Sequence, residues 1–155
     1  MAYETSTKDS KVAIRDRIKK LIEDSSELYE IKKIYKGTPN SIPNYPCVML
    51  DWGRAITTQA YQGKTGLQRQ CEMSVIVLEK YLEYSERQDR LLTLTGKIEK
   101  LIVNDRYLKG LRASDDSWKV QDVKLIETIY EALPKPNTFV LDSSEIKIII
   151  ITEGI

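Results

Sequence analysis

The chain has 155 residues, with 24 basic and 23 acidic side chains and no histidine. Length alone suggests one domain spanning 1–155, and a chain this size buries about two-thirds of its unfolded surface, enough for an ordinary core. The near-cancelling charge gives no reason to expect nucleic acid or an acidic membrane surface as partner. The missing histidine removes hydrolase triads of the usual kind and most transition-metal sites.

The N-terminal residues Met1-Ala-Tyr-Glu-Thr-Ser are mostly polar, so no signal peptide is expected. No apolar run approaches the roughly 20 residues that span a bilayer as a helix. A first helix is predicted from about Thr7 to Asp24. Its apolar stripe is Ile14, Ile18, Leu21 and Ile22, and Arg15, Arg17, Lys19 and Lys20 form its wet side. A short strand is predicted over Tyr29 to Lys36. Residues Gly37 to Pro46 carry three prolines and read as a stiffened, extended loop.

Cys47 to Trp52 is predicted as a strand, Gly53-Arg54 as a bend or bulge, and Ile56 to Tyr61 as a further extended piece. The clearest strand follows, Arg69 to Val77. Cys71, Met73, Val75 and Val77 fall on one face, and Gln70, Glu72 and Ser74 on the other. Cys47 to Leu78 therefore reads as a long projecting hairpin with its tip at Gln62-Gly-Lys-Thr-Gly66. Two cysteines, Cys47 and Cys71, fall on predicted strands and read as small buried hydrophobes. A cross-strand disulfide is conceivable from their positions.

A long helix opens at Ser85, where Ser85 and Gln88 make a capping-box pattern. Leu91, Leu94, Ile98, Leu101 and Ile102 form its apolar stripe, expected to lie on the face of Met73, Val75 and Val77. Asn104 to Ser117 reads as a polar, turn-rich loop. Trp118 to Glu127 is a strand whose alternation slips near Gln121-Asp122, which suggests a bulge. Tyr130 to Asp142 reads as a loop with Pro134 and Pro136. Glu145 to Thr152 is the last strand. Isoleucines on both its faces place it centrally in the sheet, covered on both sides. The expected fold class is α+β: a mainly antiparallel sheet of about five strands, two helices packed on one face, and the projecting hairpin.

Sites of chemistry are scarce. Gly63-Lys64-Thr65 lacks the glycine five residues upstream that a phosphate loop needs, since Thr58 stands there, and a strand follows it. The pair Asp115-Asp116 reads as a solvated turn. Nine tyrosines against one phenylalanine read as amphipathic side chains at strand edges and interfaces. No catalytic residue, metal ligand or cofactor site is expected.

The layout resembles the tail terminator, or tail-completion, family of long-tailed bacteriophages over about Lys11 to Thr152. The features carrying the resemblance come in order. They are the helix around Val12 to Ile22; the proline-marked entry Ser41-Ile-Pro-Asn-Tyr-Pro-Cys-Val-Met-Leu50; and the extended pair ending in Cys71-Glu-Met-Ser-Val-Ile-Val-Leu78. After them come the helix ending Leu101-Ile-Val-Asn-Asp105, the Tyr107-Leu-Lys-Gly110 loop, and two closing strands. The resemblance implies a non-enzymatic virion protein. It would assemble in the host cytoplasm as a homohexameric ring on the head-proximal end of the tail. There it would end tube polymerisation and join the neck, with the tail tube protein and a neck or head-completion protein as partners. DNA would be met only as the content of the channel. The alternative is a head–tail neck adaptor or other minor tail protein acting as a binding module. On this reading Tyr61, Gln62, Lys64 and Arg69, at and beside the hairpin tip, are the expected interaction residues.

Overall fold

The structure is a computed structural model that describes residues 4–37, 39, 44–59, 67–81, 89–133 and 140–154. A seven-stranded sheet runs through it, in the order β1-β5-β6-β7-β4-β3-β2. The strands are β1 Thr5–Ser6, β2 Lys33–Lys36, β3 Cys47–Gln59, β4 Leu67–Tyr81, β5 Arg112–Ala113, β6 Trp118–Leu133 and β7 Val140–Gly154. Helices α1 (Ser10–Glu23) and α2 (Asp89–Asn104) pack on one face. The expected α+β class with two helices on one face holds, and four long antiparallel strands dominate.

The sheet has more strands than the sequence suggests. β1 and β5 are two residues each, too short for any period to register. They pair in parallel, Thr5 with Arg112 and Ser6 with Ala113. The stretch expected as a polar loop after α2 thus reaches the core: Leu108, Leu111 and Ala113 are all buried. β2 is parallel to β3, Lys33 opposite Cys47, where an antiparallel neighbour was expected. Its start lies later than predicted, because Ser26–Leu28 forms a 3-10 turn and Tyr29 stands out in solvent.

Helix α1 begins where Asp9 accepts a hydrogen bond from the Lys11 amide at 3.0 Å, satisfying one of the free N–H groups of the first turn. Its Ile14, Ile18 and Ile22 are buried, as the stripe requires. Arg17 departs from the expected wet side: it is 5% exposed, with its guanidinium 3.4 Å from Glu4 and 3.6 Å from Asp105. It sits on the flank of the stripe and reaches the end of α2.

In α2 the side chains of Leu91, Leu94, Ile98 and Ile102 are buried against the sheet, in one core with Met73, Val75 and Val77. Leu101 packs at the margin of this core, only partly covered. The expected capping residues Ser85 and Gln88 lie outside the described residues.

Both expected bulges are present. The β3–β4 register shifts between Trp52 and Ala55, at Gly53-Arg54. The β6–β7 register shifts between Val120 and Asp122, and again between Leu125 and Glu127. The first of these returns Val123 to the buried face that Trp118 and Val120 occupy. It also presents Asp122 to Arg106 at the end of α2, with contacts of 3.1 and 2.8 Å. The Arg106 guanidinium holds the Asp122 carboxyl below the usual carboxylate range. β6 and β7 extend well into the predicted Tyr130–Asp142 loop, and Leu133 pairs with Leu141. In the sequence, the prolines of that stretch obscure the continuation of the two strands.

β7 is central, between β6 and β4. Ile146, Ile148 and Ile150 face the helices and are buried, whereas Ile149 and Ile151 are half-buried on the other face. The expected cover on both sides is therefore unequal. At the end of β7, Gly154 has φ +81, and a Cβ there would run into the Ser117 carbonyl oxygen, so only glycine fits beside Trp118.

The hairpin differs from expectation in one respect. β4 pairs with β7 along nearly its whole length, from Gln68 with Glu153 to Tyr81 with Val140. Its described residues therefore belong to the sheet and do not project from it.

The cysteines are both buried and unpaired. Cys47 lies opposite Leu78 on the helix-free face, and Cys71 lies opposite Ala55 and Ile150 on the core side. They point to opposite faces, which rules out the cross-strand disulfide. Burial, reinforced by the nearby Glu79 charge, pushes the Cys47 thiol up to about 11. Burial raises the Cys71 thiol as well, against the pull of Arg69 and Lys11. Thiolate is the reactive form, and at pH 8 a thiol raised so far carries about a hundredfold less of it than a free cysteine does. In folded protein at about that pH, iodoacetamide should label neither thiol at the rate of a free cysteine; in urea both should react fully. Mass spectrometry of labelled protein reads this directly, and rapid native labelling of Cys47 would contradict its placement.

Candidate interaction surfaces

Tyr61, Gln62 and Lys64 lie outside the described residues. Arg69 stands within β4, between Thr57 of β3 and Thr152 of β7, half-buried on the face of Cys71. Its charge bears on the Cys71 thiol, beside Lys11 and Asp9 at the start of α1.

Two surface regions and one buried cluster have the geometry for contact or chemistry. The first is the helix-free face of the sheet. Alternation places Asp51, Glu72, Ser74, Lys147 and Glu127 there, interleaved with Ile76, Ile149 and Ile151. The charges pair across strands. Arg54 reaches Glu72 at 3.1 Å, and Lys147 reaches Glu127 at 3.4 Å and Glu145 at 3.8 Å. A shallow groove runs between the β3 bulge and β6, floored by β4 and β7. Exposed pairs of this kind add about 0–1 kcal/mol each to stability. Paired charges among half-covered isoleucines make a mixed surface of the sort found at protein interfaces.

The second region is a buried polar cluster where α2 begins. Glu79, Asp142, Ser144 and Thr95 are all fully enclosed. Glu79 lies directly opposite Asp142 in the sheet. Arg90 grips the Glu79 carboxylate with two nitrogens, one of them at 2.8 Å, and has Glu30 3.6 Å away. The Thr95 and Ser144 hydroxyls share a hydrogen bond of 2.7 Å. A fixed guanidinium bound in bidentate fashion locks a carboxylate rather than freeing it for proton transfer. The cluster therefore ties α2 to the sheet. Sequence reasoning missed it, although the period of β4 continues from Val77 to Glu79 and so places an acid inward.

The third region is the Asp115-Asp116 turn. The Asp115 carboxylate accepts the Ser117 N–H at 3.1 Å, and bonds to Ser117 hold it below the usual carboxylate range. Asp116 has φ 60. This is a side-chain-closed turn, as expected. Among the described residues no group of three or more His, Cys, Asp or Glu side chains could hold a metal ion. Among them, too, no helix is long and apolar enough to cross a membrane.

The described residues form an α+β fold: a continuous sheet with two helices on one face and, among those residues, no helix on its mixed second face. The same fold occurs in a chain of the solved structure "Virion of native gene transfer agent (GTA) particle". That chain superposes with a TM-score of 0.60 at 9% sequence identity, over 93% of this chain and 97% of its own length. At that identity the likeness is one of fold. No protein-family model matches the sequence, and no curated protein does.

Proposed function

We propose that this chain is a structural protein of a phage-like virion, one that caps the tail tube as a homohexameric ring. It ends tube polymerisation and offers its far side to a neck or head-completion protein. The observation that carries this reading is the match of fold over nearly the full length of both chains to a component of a gene transfer agent virion. The order of sequence features that resembles the tail terminator family supports the finer role. The working site is the head-proximal end of the tail, after assembly in the host cytoplasm, and DNA passes through the channel without specific recognition.

The test is made on polymerising tail tube protein. Added in modest excess, the purified protein should arrest tubes at a shorter, narrower length distribution seen by electron microscopy. Tubes that grow to the same length with and without it would sink the proposal. The hairpin tip is the expected contact, with Tyr61 as its apolar anchor and Gln62, Lys64 and Arg69 around it. Replacing Gln62 to Gly66 by a two-residue turn should leave folding intact and abolish capping. Normal termination by that variant would move the working surface elsewhere.

A non-enzymatic role is part of the proposal. ATP and nuclease substrates should turn over no faster than a matched blank. Turnover lost in Lys64→Ala or Asp115→Ala would overturn it.

A further inference from the structure

On each side of the sheet a long strand is covered by its short neighbour over only a small part of its length. β2 pairs with β3 over Cys47 to Leu50 alone. β5 pairs with β6 at Lys119, and the Val120 N–H reaches the Leu111 carbonyl at 2.9 Å. Among the described residues, 51–59 of β3 and 121–133 of β6 therefore have no strand on their outer side. Open backbone of this length is a template for further pairing.

The two edges suit each other. They lie on opposite sides of the sheet, with β7 and β4 between them. Each neighbouring pair in the series β6, β7, β4, β3 is antiparallel, so β3 and β6 run in opposite directions. A rotation about an axis roughly along the strands would bring β6 of one copy beside β3 of the next in antiparallel sense, extending the sheet without a change of pattern. Both edges also carry apolar side chains in solvent: Ile56 is 44% exposed on β3, and Ile129 is 37% exposed on β6, with Ile126 and Tyr130 beside it. Ile56 lies opposite Gln70 and Ile129 opposite Glu145, which puts both on the helix-free face.

We propose that residues 52–59 of β3 pair with residues 126–133 of β6 in a second copy of this chain, with Ile56 opposite Ile129. This deepens the ring reading given above and rests on it. The contact is heterologous: each copy offers a different edge to each neighbour, and only closure into a ring leaves neither edge bare. The register also sets Arg54, whose side chain is 71% exposed, opposite the exposed Glu131. Opposite charges at facing positions favour this register over its neighbours.

Disulfide trapping in the full-length protein tests this, and the buried Cys47 and Cys71 do not compete. The variant carrying both Ile56→Cys and Ile129→Cys, treated with diamide, should give a ladder of covalent oligomers on a non-reducing gel. Either single variant alone should stay monomeric, and the two mixed should stop at dimers. Ile56→Cys with Tyr130→Cys, one residue out of register and on the other face, should react far less. A double variant that remains monomeric overturns the pairing. So do dimers from Ile129→Cys alone, which would mean that two β6 edges meet about a two-fold axis. A second measurement avoids cysteine altogether. Glu131→Arg should lower the assembled fraction in sedimentation, and adding Arg54→Glu should restore it; no loss, or no restoration, counts against the register. A ladder without arrest of tube growth would defeat the capping role alone, whereas arrested tubes without a ladder would defeat the edge pairing alone.

Discussion

Ile98→Ala should destabilise the protein by about 2–5 kcal/mol, in the upper half of that range. Ile98 is 0% exposed, at the middle of the α2 stripe between Leu94 and Ile102. It belongs to the single large core that joins both helices to Met73, Val75, Ile146 and Ile148. Truncation removes transfer free energy and leaves a hole that sheet and helices can close only in part, because the sheet behind it is fixed by antiparallel pairing on both sides of β4 and β7. Urea unfolding should show the midpoint falling with the slope unchanged. Ile98→Val should cost only about 0.5–1.5 kcal/mol. Leu92→Ala on the same helix, at a side chain 46% exposed, should stay within about 0.5 kcal/mol of the parent. Equal effects at positions 92 and 98 would mean that the helix is turned differently on the sheet.

Ile98 is legible in the sequence because long elements advertise their period. The β4 alternation and the α2 stripe each run over several turns or pleats, and each points to the face that is buried. The Gly53-Arg54 and Gln121-Asp122 irregularities are legible for the same reason, since a bulge shows as a slipped alternation. Elements without such a signal stay hidden. β1 and β5 are two residues each, and β2 gains its parallel neighbour through a proline-stiffened connection rather than through any pattern of its own. Arg17 looks like a surface charge because its partners, Glu4 and Asp105, are remote in sequence. The candidate surfaces divide in the same way. The mixed helix-free face follows from alternation. The bare edges of β3 and β6 do not, since they depend on how far β2 and β5 happen to pair.

Arg90→Ala should cost about 3 kcal/mol, and the loss should be recovered mainly by changing Glu79. Glu79 is completely enclosed, and Asp142, also completely enclosed, lies opposite it on β7. Bringing two acids together away from water is tolerable only with a counter-charge and hydrogen bonds at hand. Arg90 supplies both to Glu79, and the Lys80 amide adds a hydrogen bond of 2.9 Å to the same carboxylate. Removing one partner of a buried pair typically costs about 3–5 kcal/mol, mostly because a charge is stranded. The side chain of Arg90 is 45% exposed, so solvent already weakens its share and places the effect at the low end. If stranding is the cause, Glu79→Gln in the Arg90→Ala background should restore most of the lost stability, because a neutral amide needs no counter-ion. Glu79→Gln alone should cost less than Arg90→Ala. A double variant as unstable as the sum of the two single changes would show that Arg90 acts through its packing on α2, with its charge on Glu79 irrelevant.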